Sequence, residues 1–482
     1  MIRLGKPFMF GLLFAALTVV GIMLGSSLFG LLEPDSLSYL SFRPARTAFY
    51  PLFLNFSGLF TDQIWVAICL QSSIYILSVF SLIWSIQHYF NSLIVTFLTG
   101  LGISANVYLQ AFHTVILSES LTFSLMHFII VCLISLIFGK RKKIERTTIF
   151  LGLLCGALFA LKPAMITILP SLLIVIAVIC WQKGISTIKK MALFIIAFVA
   201  MTTVEIGVYH LYHKERVSLY PLILRGKIAI LTASPNFVFP NDLDINNKQI
   251  LQAVDDLYEP YQRWSEDEHN IIVTSNLKAN FEVYGQYQAF PLLVKRGVIT
   301  KPSSEQMTEI GLMTIKANIG LYLLHSLGYL AELWSVGGLV FSNKILGAVM
   351  PVFQDASLNG ALPTFASKNG PFDPQSDHFA NQIGVISFPV FIIFGLVSFA
   401  LALWSLKHVA NRLINQVKLI DNFTFFIASL QIIGWSNLTL IAFVNIPTPR
   451  YLMPHFSGFA LSSTLMLYLI ICVIQKRNPG KA

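Results

Sequence analysis

The chain has 482 residues, 55% hydrophobic and only 12% charged, with a mean hydropathy of +0.70. Soluble domains carry about 25% charged residues, so this composition excludes a soluble globular protein and leaves a polytopic membrane protein with room for roughly ten spans and one large loop. The net charge of +10 does not point to nucleic acid, because about half of the Lys and Arg flank apolar segments, where membrane orientation accounts for them.

The first apolar segment, 8–32, is too long for a signal-peptide core and lacks a convincing A-x-A site, so an uncleaved span is expected. Spans follow from the apolar runs at 7–30, 64–86, 91–111, 121–139, 147–161, 163–181, 190–212, 383–406, 421–443 and 456–475. The fifth and sixth form a hairpin that turns at Lys162-Pro163. Residues 1–212 thus read as a transmembrane module whose first external loop is 31–63, and 383–482 as the C-terminal spans. Between them lies the polar region 213–382, which holds most of the acidic residues and is expected to be an external helical subdomain or ordered loop. The apolar stretch 319–350 inside it must cross an even number of times. It reads as an interfacial or re-entrant helix with Tyr329 and Trp334 as surface anchors. Cys69, Cys132, Cys155, Cys180 and Cys472 all sit in apolar segments without a CxxC, which suggests core packing rather than a zinc site or a disulfide framework.

Sixteen of the 33 basic residues lie in the short loops of one side, around 3–6, 140–146, 183–190, 407–418 and 476–481. That side is cytoplasmic by the positive-inside rule, and so is the N-terminus. The opposite short loops hold only Arg43, Arg46, Lys162 and Arg450 as cations, and Asp35 and Glu119 face the same side. Ionisable groups gathered at one membrane boundary mark either function or head-group anchoring. The chain has no P-loop, no GxGxxG after a strand, no GxSxG and no HExxH, so nucleotide and serine-hydrolase chemistry within it is not indicated.

The order of these features resembles the bacterial membrane glycosyltransferases of the GT-C superfamily, such as the protein mannosyltransferases and aminoarabinose transferases. The residues that carry the resemblance are PDS-x-x-Y then R-x-x-x-YPLFL after the first span, ILSESL at 116–121, GALFALKPAMITILP at 156–170 and TPRYLMPHF at 448–456. The resemblance covers 7–212 well and 448–475 loosely. It implies a GT-C-like all-α polytopic fold in a bacterial inner membrane, with a sugar taken from a polyprenyl-phosphate carrier and passed to a lipid, glycan or protein acceptor on the outer face. It further implies Asp35 as the base that deprotonates the acceptor hydroxyl, and Glu119 as a second acid. Arg43, Arg46, Lys162 and Arg450 become the phosphate clamp, with His113 and Tyr39 as further binding candidates. A single carboxylate base implies inversion at the anomeric carbon. The resemblance fixes no cofactor and leaves metal dependence open. A divalent cation is the one candidate, but many relatives pair two acids in the first loop, whereas here Asp35 is followed by Ser36 with Glu33 two before.

Plainer roles stay open beside these. Asp35 suits an N-cap, Glu119 a first-turn carboxylate, the basic residues lipid anchors, His113 a satisfied interior histidine and Tyr39 an interfacial tyrosine. A lipid-linked sugar flippase, a glycan polymerase or ligase, and a non-enzymatic assembly protein are the alternative functions. The flippase lacks its usual repeated halves and mid-membrane charges.

Overall fold

The computed structural model describes residues 5–26, 36–59, 64–234, 236–262, 289–334, 374–415, 421–444 and 451–475. Among the described residues every regular element is a helix, and nine helices are long and apolar enough to cross a bilayer. The chain is an all-α polytopic membrane protein. It divides into two compact units, Met1–Arg216 with Ile393–Asn437 and Leu452–Ala482, and Val217–Ile392 with Leu438–Tyr451.

The first unit contains α1 (Lys6–Gly25), the short helices α2 (Ser36–Leu40) and α3 (Phe49–Gly58), then α4 (Ile64–Phe90), α5 (Leu93–Ser104), α6 (Val107–Ala111), α7 (Glu119–Phe138), α8 (Ile144–Leu161), α9 (Ile168–Gln182) and α10 (Thr187–Tyr212). Apolar side chains such as Ile195, Ile196, Val199 and Val204 remain exposed on α10, as a lipid-facing helix requires. Between spans the apolar surfaces gain little over lipid, so close backbone approach and buried hydrogen bonds hold the bundle. Ser78 and Ser457 flank His127 at 2.9 and 2.6 Å, and Thr99 meets Thr464 at 2.7 Å.

The expected third span, 91–111, is not one helix. α5 has only 12 residues, about 18 Å of rise against a hydrocarbon core of about 30 Å. Asn106 then breaks the helix and caps α6, its side chain accepting from the Leu109 amide at 3.1 Å. The break still serves as a crossing. α4 and α7 run parallel: Gln71 meets the His113 and Val115 carbonyls near their starts, Ser78 meets His127 midway, and Phe90 packs on Phe138 at their ends. The chain must therefore return between them, and α5 and α6 do so alongside α1, where Gly21 abuts Ser104 and Gly25 abuts Ala111.

α8 and α10 are likewise parallel, and Gly152-x-x-x-Gly156 is where they touch. A Cβ at Gly152 would press on the Phe194 carbonyl and lie 2.9 Å from the Ala197 Cβ, so the backbones approach only because both positions are glycine. Gly152→Val is expected to push α10 away and cost about 1–3 kcal/mol. A lowered midpoint for thermal unfolding in detergent would show it, and an unchanged midpoint would refute the close approach.

The second unit holds α11 (Tyr220–Thr232), α12 (Ile245–Gln262), α13 (Phe290–Lys295), α14 (Ser304–Ala317) and α15 (Ile319–Glu332) around a core that includes Ile228, Leu231, Leu251, Val254, Phe290, Met307 and Ile310. The polar region is thus a helical subdomain with its own core. Ser303 and Gln306 form a capping box at the start of α14. α15 bends 93° from α14 at Asn318, whose side chain pairs with both backbone groups of Val238 at 2.7 and 2.8 Å. Tyr329 and Trp334 are buried rather than surface anchors, because the α15 side chains that face outward are Ile319, Leu323, Leu324 and Leu327. Residues 335–350 of the apolar stretch lie outside the described residues. The last helices are α16 (Pro374–Ile414), α17 (Asn422–Val444) and α18 (Met453–Ile474).

Candidate functional site

Three chain segments meet at one end of the first unit: the loop after α1, the start of α7 and the turn after α8. α8 stops at Lys162 because Pro163 has no amide to continue the ladder and disfavours helical geometry at the residue before it. α7 begins with Glu119. A cation at a helix C-terminus and a carboxylate at a helix N-terminus each complement the backbone dipole. The two ends lie side by side, and Lys162 Nζ donates to Glu119 Oε1 at 3.0 Å, with both side chains almost fully buried. Desolvating two charges offsets much of their attraction, so such a pair is weak evidence of stability and invites a functional explanation.

The first loop closes over this pair. Ser36 is buried at the start of α2 and donates to the Ile116 carbonyl at 2.8 Å, three residues before Glu119. Tyr39, also buried, places its hydroxyl 3.1 Å from Ser118 Oγ. Arg46 stacks its guanidinium 4.5 Å over the Tyr39 ring and donates from Nε to Ser38 Oγ at 2.7 Å. Arg46, Tyr39 and Ser118 on one side and Glu119 and Lys162 on the other therefore form one polar chain, joined where Ser118 and Glu119 are neighbours in sequence at the start of α7. An apolar cluster of Tyr39, Tyr50, Ile116, Leu121 and Leu161 backs that chain. Tyr50 packs edge-on against Tyr39 at 5.0 Å and donates to Gln71 Oε1 at 2.9 Å. Burial, with Glu119 and then Tyr39 nearby, raises the Tyr50 pKa well above the ordinary phenol value, so it stays a neutral donor.

Of the expected site residues, Tyr39, Arg46, Glu119 and Lys162 come together. His113 lies deeper and is fully buried, its ring stacked on Tyr75 at 3.5 Å between centroids and its Nδ1 2.8 Å from Ser120 Oγ. Burial first, and His127 second, hold its pKa well below the ordinary imidazole value, so it is neutral at physiological pH. Arg43 is exposed on the same loop. Asp35 and Arg450 lie outside the described residues. Among the described residues no cluster of three or more His, Cys, Asp or Glu has metal-binding geometry.

Sequence reasoning missed the residues that support the Lys162 turn. Asn437 in α17 donates to the Ala164 carbonyl at 2.7 Å and to Thr167 Oγ1 at 2.8 Å, and its amide oxygen is 2.8 Å from His455 Nε2 at the start of α18. It also missed Glu205, buried in α10, which accepts from the Ala48 amide. The available signal was an ionisable or amide side chain inside an apolar span. No family model, curated protein or solved structure matches this chain.

Proposed function

We propose that this protein is an inverting membrane glycosyltransferase of GT-C type, which moves a sugar from a polyprenyl-phosphate carrier to an acceptor hydroxyl at the outer face of a bacterial inner membrane. The observation that carries the reading is the polar chain from Arg46 through Tyr39 and Ser118 to the buried Glu119–Lys162 pair, at the end of the bundle where the first loop folds back. Two cations held against an apolar wall suit a phosphate that hangs on a lipid tail.

In the reaction, the acceptor oxygen bonds to the anomeric carbon while its proton passes to the Asp35 carboxylate. The bond from that carbon to the phosphate oxygen breaks, and its electron pair stays on the lipid phosphate. Arg46 and Lys162 hold the charge that gathers there. Glu119 pairs with Lys162 and aims it in an interior otherwise hostile to an ammonium. A water-poor site strengthens each of these interactions.

The test is sugar transfer from a labelled polyprenyl-phosphate sugar panel in purified membranes. Arg46→Met is expected to weaken transfer by about 10–100-fold, the loss of one or two charge-assisted hydrogen bonds to phosphate. Full transfer by that variant would remove Arg46 from the site, and no transfer by the wild type from any member of the panel would sink the reading.

A further inference from the structure

The geometry points to Glu205 as the positioning residue that holds the Arg46 turn in register. α10 carries this carboxylate close to its end, and the side chain is 3% exposed. Glu205 Oε1 accepts from the Ala48 amide at 2.9 Å and from Arg216 Nη2 at 2.6 Å. Arg216 in turn stacks 4.5 Å over the Tyr209 ring. The Tyr209 hydroxyl lies 2.7 Å from the Pro44 carbonyl oxygen and 3.0 Å from that of Glu215, sharing its proton between them. One turn further on, His213 Nε2 donates to the Phe42 carbonyl at 2.7 Å, and the Phe42 ring packs against Tyr209, Tyr212 and His213. The end of α10 thus grips the loop at residues 42, 44 and 48, on both sides of Arg46.

The loop needs this grip. Phe42 has φ +41°, the left-handed region that a bulky residue adopts only where its surroundings force it. A buried carboxylate in a membrane helix is also costly, and here its charge is matched by Arg216 and spent on one loop amide. Ala48 precedes α3, so its amide is among the helix-start donors that lack an intrahelical partner. Glu205 supplies that partner from a helix more than 150 positions away.

This inference rests on the transferase reading for what Arg46 binds, but the grip itself is measurable without any transfer. Trypsin is suited to it, because Arg43 precedes Pro44 and resists cleavage, whereas Arg46–Thr47 is cleavable and Thr47 is buried. Purified protein in detergent is digested as wild type, Glu205→Ala and Glu205→Gln, with the exposed Arg296–Gly297 bond of the second unit as internal control. Glu205→Ala is expected to speed Arg46–Thr47 cleavage about tenfold or more with control cleavage unchanged. Glu205→Gln, which keeps an acceptor for the Ala48 amide, falls between. In the transfer assay, Glu205→Ala raises KM for the polyprenyl-phosphate sugar as Arg46→Met does, and the double variant is no worse than Arg46→Met alone. Unchanged Arg46–Thr47 cleavage, or losses that multiply in the double variant, overturns the inference. Faster cleavage in a protein whose wild type transfers nothing supports the grip and sinks the transferase reading.

Discussion

Lys162→Met is expected to destabilise the protein by roughly 3–5 kcal/mol and to abolish transfer. The stability loss does not come from the attraction between Lys162 and Glu119, which desolvation largely offsets. It comes from leaving the Glu119 carboxylate buried, at 3% exposure, with its cation gone. The double variant Lys162→Met/Glu119→Gln removes both charges and is expected to recover most of the stability, because a neutral amide beside an apolar side chain carries no uncompensated charge. Transfer is expected to stay lost in the double variant, since the ammonium that holds the lipid phosphate is still absent. Lys162→Arg should fold and retain partial transfer. Its guanidinium keeps the charge but not the compact shape of the ammonium that donates to Glu119 Oε1 in this buried turn. Denaturant titration in detergent and the transfer assay together separate the two roles. A double variant that transfers like wild type would reduce Lys162 to a structural cation.

Most of the membrane architecture was legible in the sequence, because a span must present about 20 apolar residues in a row and almost nothing else in a chain does so. The exception was 91–111, where length fitted a span but Asn106 offered the backbone a competing hydrogen bond and split the helix. The convergence was also legible. Charge counting placed the first loop, Glu119 and Lys162 at one boundary, and the structure brings Tyr39, Arg46, Glu119 and Lys162 into one polar chain. What the sequence hid were the supports. Glu205, Asn437 and Tyr209 each act on backbone groups distant along the chain, and nothing in their own neighbourhood names those partners. Tyr329 and Trp334 were misjudged for a related reason. The bend at Asn318 sets which face of α15 turns inward, and its partner Val238 lies 80 positions away.

The supports also account for how a short loop acts as a site at all. Loops ordinarily move, and a phosphate clamp needs its cations placed to within a fraction of an ångström. Here the loop is tied at Ser36 to the approach to α7, at Thr47 to the Leu161 carbonyl at the end of α8, and at Ala48 to α10. Three spans therefore fix the short segment that carries Tyr39 and Arg46. Their rigidity, rather than any regular structure of its own, gives the loop a defined geometry.

Asp35→Asn is expected to lower kcat for transfer by about 10²–10⁴-fold while leaving stability within a few tenths of a kcal/mol. The substitution is clean because Asp35 stands directly before Ser36, the first residue of α2, and Asn caps a helix start as well as Asp does. What Asn lacks is a lone pair basic enough to take the acceptor proton. Such a loss amounts to about 3–5 kcal/mol of transition-state stabilisation, with carrier affinity little changed because no cation is removed. KM should accordingly stay near the wild-type value, the opposite of the Arg46→Met and Glu205→Ala pattern. Two results would break the assignment in different ways. Undiminished transfer would leave Asp35 as a helix cap and move the base to another residue. If neither protein transfers sugar, yet labelled carrier changes leaflet in proteoliposomes, the same loop would belong to a lipid-linked sugar flippase. The polar chain through Arg46, Glu119 and Lys162 would then serve to bind the carrier phosphate without chemistry.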